Sequence, residues 1–180
     1  YSNEVSTIPG SGFDRVILTG TNSSTSANYA YAYDYNTDTW NALSDLGSLN
    51  LYGQNTVYDV ESDRIILTAS SANNAQNYTF EYNYNTDSWD TRSDMGSLNL
   101  YGQNTVYDVE SDRIIVTGTN SGTTTNYAYA YDYNTDTWET KSGLSLMTSL
   151  YGQNTVYDVE SDRIIVTGTN SGTTTNYAYA

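Results

Sequence analysis

One unit of about 49 residues recurs along the whole chain, and no other feature constrains its folding as strongly. Asp14-Arg15-Val16-Ile17-Leu18-Thr19-Gly20 returns in close variants from Asp63, Asp112 and Asp162, at spacings of 49, 49 and 50 residues. The run Tyr-Gly-Gln-Asn-Thr-Val-Tyr-Asp-Val-Glu-Ser starts at Tyr52, Tyr101 and Tyr151, and Trp40, Trp89 and Trp138 are each 49 residues apart. Residues 100–130 and 150–180 are identical over 31 positions. The chain therefore divides into about 3.7 copies: 1–49, 50–98, 99–148 and an incomplete 149–180.

Each copy reads as four β-strands. In the third copy the first strand is the alternating 103–109, and Glu110-Ser111-Asp112 turns the chain. The second, 113–117, is apolar on both faces, as a strand covered on both sides must be. After a Ser/Thr/Asn/Gly loop comes the third strand, 126–133; Asn134-Thr135-Asp136 turns again, and a fourth strand carries Trp138. In the third strand of the first copy Tyr29, Tyr31, Tyr33 and Tyr35 share one face while Ala30 and Ala32 share the other. Tyr78, Phe80, Tyr82 and Tyr84 repeat the bulky face in the second copy. Sheets with one large and one small face stack on copies of themselves, and four-stranded sheets stacked about an axis form a propeller. No helical periodicity competes, so the expected class is all-β.

Each third strand places a Tyr seven positions before the Trp: Tyr33 and Trp40, Tyr82 and Trp89, Tyr131 and Trp138. With an apolar strand ending in glycine before it, and the string Tyr-Asp-Tyr-Asn-Thr-Asp-Thr-Trp at 33–40 and 131–138, the pattern resembles the kelch family of β-propellers over the whole chain. The resemblance implies four-stranded antiparallel blades whose connecting loops form a binding surface. One departure stands out: where that family has a double glycine, this chain has Gly20-Thr21, Ala69-Ser70, Gly118-Thr119 and Gly168-Thr169. Kelch rings hold six or seven blades and complete the last with a strand from the other terminus. The copies here begin at a first strand and stop within a third, so part of a larger ring or tandem assembly is expected rather than a four-bladed ring.

Composition narrows the chemistry. There is no His and no Cys, which excludes zinc fingers, haem-His and blue-copper sites, Ser-His-Asp triads and Cys nucleophiles, and also the copper chemistry known on kelch-like propellers. With 21 acidic and 6 basic residues the net charge is −15, which offers no basic patch for nucleic acid. No stretch approaches the roughly 20 apolar residues of a membrane span. A low-lysine, acidic surface rich in Tyr, Thr, Asn and Ser suits an extracellular or cell-surface setting.

Four groups of residues carry candidate chemistry. Tyr52, Gln54 and Asn55, with their counterparts Tyr101, Gln103, Asn104 and Tyr151, Gln153, Asn154, place an aromatic plane beside planar amides. That combination recognises sugars by stacking and paired hydrogen bonds; the same amides also serve to satisfy loop backbone while the tyrosines pack between blades. Asp34, Asn36, Asp38 and Asp132, Asn134, Asp136 match the opening half of a calcium loop. The Gly and distal Glu of such a loop are missing, and the same residues form ordinary Asx turns. Arg15, Arg64, Arg113 and Arg163 precede each second strand beside an Asp, a place where a structural carboxylate partner is expected rather than a converging carboxylate clamp. Asn22 and Asn77 head the two N-glycosylation sequons.

Near-identity of the blades points to a non-catalytic structural or binding module, because an active site needs blades to differ where they converge. Self-association or further blades of the same protein are the expected partners, and no cofactor is expected beyond the Ca2+ the aspartates admit. The alternatives are a multivalent glycan-binding propeller and, last, a polysaccharide-acting enzyme using acids such as Glu81 and Asp94.

Overall fold

The computed structural model describes residues 5–8, 15–97, 100–143, 150–170 and 172–180; for 5–8, Arg15, Tyr101 and Tyr151 it describes the backbone alone. Among the described residues, fifteen strands form four antiparallel meanders in chain order. β1 (Val5–Ile8), β2 (Arg15–Thr21), β3 (Asn28–Asp34) and β4 (Thr39–Leu43) make the first sheet. β5 (Leu51–Asp59), β6 (Arg64–Ser71), β7 (Asn77–Asn83) and β8 (Ser88–Gly96) make the second. β9 (Leu100–Asp108), β10 (Arg113–Asn120), β11 (Asn126–Asp132) and β12 (Thr137–Lys141) make the third. The last sheet has three described strands, β13 (Leu150–Asp158), β14 (Arg163–Asn170) and β15 (Asn176–Tyr179). The fold is all-β, an open stack of propeller blades.

The first strands are the inner ones: β5 lies against β1 and β2, β9 against β5, and β13 against β9. No comparable contact joins β13 to β1 among the described residues, so the ring is not closed. Between blades the bulky face of each sheet seats on the small face of the sheet before it. Tyr129, Tyr131, Ile114 and Val116 of the third blade pack with Ile66 of the second, and Tyr82 and Ile65 of the second pack with Ile17 and Ala32 of the first. Thr68 and Thr105, then Thr117 and Thr155, add a hydroxyl pair at 2.9 Å across successive junctions. The Tyr–Trp spacing acquires its reason here. Tyr33 and Trp40, Tyr82 and Trp89, and Tyr131 and Trp138 are register partners across the outer hairpin, with ring centroids 4.8–4.9 Å apart. Trp89 and Trp138 then donate their indole N–H to Ser44 O and Ser93 O of the preceding blade at 2.9 and 2.8 Å.

Both hairpins of a blade share one lock. In Tyr-Asp-x-x-x-Asp the first carboxylate accepts turn N–H groups, as Asp34 does from Asn36 and Thr37 and Asp108 from Glu110 and Ser111, and the Asn83 side-chain oxygen takes that place before Asp87. The last Asp sits at positive φ, 50–56° at Asp38, Asp63, Asp87, Asp112, Asp136 and Asp162. Each accepts the Tyr hydroxyl five residues earlier at 2.7–2.8 Å. The hydroxyls of Tyr58 and Tyr84 hold the Asp63 carboxyl below its ordinary range, and the Ser44 backbone N–H, then the Tyr82 hydroxyl, do so at Asp87 against the cost of burial. Conversely, burial and the bond to Asp63 push the Tyr58 hydroxyl up to about 12. Carboxylates with depressed folded values stabilise the fold above about pH 4 and lose that contribution as pH falls. A tyrosine raised from 10.0 stabilises fully below that value and loses its contribution as pH rises toward 12. Thermal melts are therefore expected to plateau between about pH 4 and about pH 10, with alkaline unfolding tracking tyrosinate absorbance. An alkaline slope unchanged by Tyr58→Phe contradicts this.

Candidate functional site

The amides that invite a ligand in the sequence lie where each first strand begins. There Gly53, Gly102 and Gly152 adopt φ of 60, 61 and 56°, and the pairing to β6, β10 and β14 slips by a bulge. Nothing lies within 4 Å of a Cβ at these glycines, so backbone conformation alone selects them. The bulge turns the following Gln back toward the preceding blade. Gln54 Nε2 donates to Thr21 Oγ1 at 2.5 Å, Gln103 Nε2 to Ser70 Oγ at 2.6 Å and Gln153 Nε2 to Thr119 Oγ1 at 2.8 Å. Those hydroxyls donate in turn to Asn28, Asn77 and Asn126 Oδ1. In the other direction Asn55 Nδ2 donates to Gln103 O at 2.7 Å and Asn104 Nδ2 to Gln153 O at 2.5 Å. The departure from a double glycine is thereby explained: Thr21, Ser70 and Thr119 supply the hydroxyl that the glutamine needs.

Gln54, Asn55, Gln103 and Gln153 are buried, Asn104 half-buried and Asn154 exposed. The residues proposed as repeated sugar ligands thus sit mostly inside the blade junctions. Tyr52 is half-buried; the side chains of Tyr101 and Tyr151 lie outside the described residues. One cleft does open, of about 720 Å³, between the bulky face of the first blade and the starts of β5 and β9. Tyr29, Tyr31, Tyr52, Asn22, Asn50 and Gln54 are among its walls. The rings of Tyr29 and Tyr31 lie near-parallel, with centroids 6.4 Å apart.

The calcium-type residues close as turns. Asp132 accepts Asn134 N–H at 2.9 Å and pairs with Arg113 at 2.8 Å, Asp136 accepts Tyr131 and the Ser93 N–H, and Asn134 donates to Asp112. Asp34, Asn36 and Asp38 repeat the turn, and no cluster of three acidic side chains fit for a metal occurs among the described residues. Of the repeated arginines, Arg113 meets Asp132, Arg64 lies 3.7 Å from Glu81 and Arg163 is exposed; the Arg15 side chain lies outside the described residues. Asn22 is exposed, with Oδ1 accepting the Ser24 N–H. Asn77 is fully buried and donates to Gly96 O at 3.1 Å, so that sequon has no room for a glycan in the folded chain.

One polar cluster was only half visible in the sequence, which marks Glu81 as a candidate acid but not its partners. Glu81, 6% exposed, is held by two donors of Arg92, whose guanidinium also sits 4.6 Å over the Tyr133 ring and donates to its hydroxyl at 2.8 Å. The signal was a break in the repeat: Ala32 and Ala130 stand where the second blade has Glu81, and Leu43 and Lys141 where it has Arg92. Asp94 is exposed and accepts from Gln76.

No protein-family model matches the chain, and no curated protein matches it in sequence. Solved structures do match in shape. The exo-β-1,3-galactanase of Phanerochaete chrysosporium, crystallised with galactose, superposes with a TM-score of 0.66 at 8% identity, over 94% of this chain and 43% of that one. TolB of Acinetobacter baumannii gives 0.57 at 12% identity, over 99% and 42%. The β-propeller domain of the Trilobed protease of Pyrococcus furiosus, described as an open velcro topology, gives 0.52 at 8%, over 100% and 53%. The chain thus spans about half the length of these structures or less, and at such identities the likeness establishes a shared fold, the β-propeller.

Proposed function

We propose that the chain is a non-catalytic, extracellular structural and binding module of the kelch-like type. The observation that carries this reading is the use of the same rung at each of the three junctions: Gln54 to Thr21, Gln103 to Ser70 and Gln153 to Thr119. Polar groups suited to a ligand are spent on joining blades, identically each time, whereas catalysis needs unlike groups converging on one point. Glu81, the buried acid that breaks the repeat, is occupied by Arg92. Incubation with a panel of polysaccharides is expected to give no turnover. Turnover that Glu81→Gln or Asp94→Asn abolishes refutes the reading.

A second reading, glycan binding, is favoured by the cleft. Tyr29, Tyr31 and Tyr52 offer aromatic planes, and Asn22 and Asn50 offer amides at its edge. Galactose, which the galactanase was crystallised with, and its oligomers are the first probes. Retention on a glycan array that Tyr29→Ala removes supports this reading, and an empty array removes it.

A further inference from the structure

The two ends of the stack are the uncovered halves of a contact that the chain already makes three times. Blade four repeats blade three residue for residue over 150–180, so its outer face is the surface by which blade three holds blade four. On that face Val156 is 56% exposed, and Thr167 and Ala178 are exposed. The counterparts Thr68 and Thr117 are buried and bonded across their junctions. Asn154 is exposed too, where Asn55 and Asn104 donate to the next blade's backbone.

At the other end, blade one presents Tyr29 at 42% and Tyr31 at 37% exposure. Of the residues in the place of Tyr31, Phe80 and Tyr129 are each 5% exposed under the preceding blade and Tyr179 is half-buried there. The stacked pairs Tyr78–Phe80, Tyr127–Tyr129 and Tyr177–Tyr179 match Tyr29–Tyr31 in spacing, 5.9–6.2 Å against 6.4 Å. Shape and chemistry therefore agree between the two open faces, large and aromatic against small and aliphatic.

We infer that copies of this chain join head to tail, the aromatic face of blade one in one copy seating on the small face of blade four in another. The inference rests on the reading of the chain as a structural module and names its partner. A contact between unlike faces gives a ring where the rotation closes and a filament where it does not. The cleft beside Tyr29 and Tyr31 would lie at this new junction. Copies carrying −15 each repel one another, so added salt strengthens the association.

Sedimentation and light scattering of the purified chain across a concentration series test this, with Tyr31→Asp and Ala178→Arg as variants. Both positions are at least partly exposed, and matched circular dichroism of the dilute chains confirms folding. The wild type is expected to assemble with concentration, and each variant to need about thirtyfold more protein or worse, the scale of losing one anchor residue. Each variant keeps one sound face, so an equimolar mixture is expected to form a complex that stops at two chains. Rings or filaments by electron microscopy both support the contact. A wild type that stays monomeric up to about 1 mM overturns it, as does assembly that either variant leaves intact. Polysaccharide turnover by a chain that still assembles removes the module reading and leaves this contact standing; a monomeric chain without turnover does the reverse.

Discussion

Tyr129→Ala is expected to cost about 3–5 kcal/mol of stability, whereas Tyr31→Ala at the same place in its blade costs under about 1 kcal/mol. Both residues lie in the third strand of a blade, opposite Val116 and Leu18 respectively. They differ only in what covers them. Tyr129 packs in a cluster with Ile66, Leu100, Val116 and Tyr131, while Tyr31 is 37% exposed with none of the described blades against it. Removing the buried ring forfeits its transfer free energy and leaves a cavity that two stacked sheets cannot close; removing the other exposes little that was dry. Urea denaturation at a dilution that keeps the chain monomeric checks the pair. Equal losses at the two positions would mean that stacking between blades does not stabilise the fold.

The second large effect concerns Glu81. Glu81→Ala strips Arg92 of its carboxylate, and the loss is expected to be about 2–3 kcal/mol; the figure is below that for a fully enclosed pair because the Arg92 side chain is 27% exposed. The repeat supplies an internal control. At the first junction the same two places hold Ala32, 1% exposed, and Leu43, which packs against the same buried cluster as Tyr84. The double variant Glu81→Ala/Arg92→Leu copies that apolar solution and is expected to return to within about 1 kcal/mol of wild type. A double variant as unstable as Glu81→Ala shows that the second junction needs the ion pair itself.

Strand order and hairpin positions were legible because they depend on local pattern. The third strand was expected at 126–133 and spans Asn126–Asp132, since Tyr/Ala alternation and the Asp turn define both ends. The first and second strands run further than expected, Leu100–Asp108 and Arg113–Asn120 against 103–109 and 113–117. Gly102 and Gly118 read as loop residues, yet a bulge at the first lets pairing resume at Tyr101↔Thr119 and Leu100↔Asn120. The Tyr-Asp-x-x-x-Asp lock was written plainly in the repeat, although Tyr131 drew notice for its strand face and its spacing to Trp138 and not for its bond to Asp136.

The candidate sugar ligands were harder to place, because an amide next to a tyrosine looks the same whether it faces water or a neighbouring sheet. Gln103 reaches Ser70 across 33 residues of chain and Asn55 reaches Gln103 O across 48, separations that no local pattern encodes. By itself, the sequence determined a β-repeat with one large and one small face per sheet, since side-chain alternation along a strand leaves no other arrangement of those residues. Only the tertiary structure decided which amides the junctions consume, and which two faces, at Tyr31 and Ala178, are left uncovered. Burial belongs to pairs of surfaces: identical residues in the repeat become core or surface according to whether another blade lies against them.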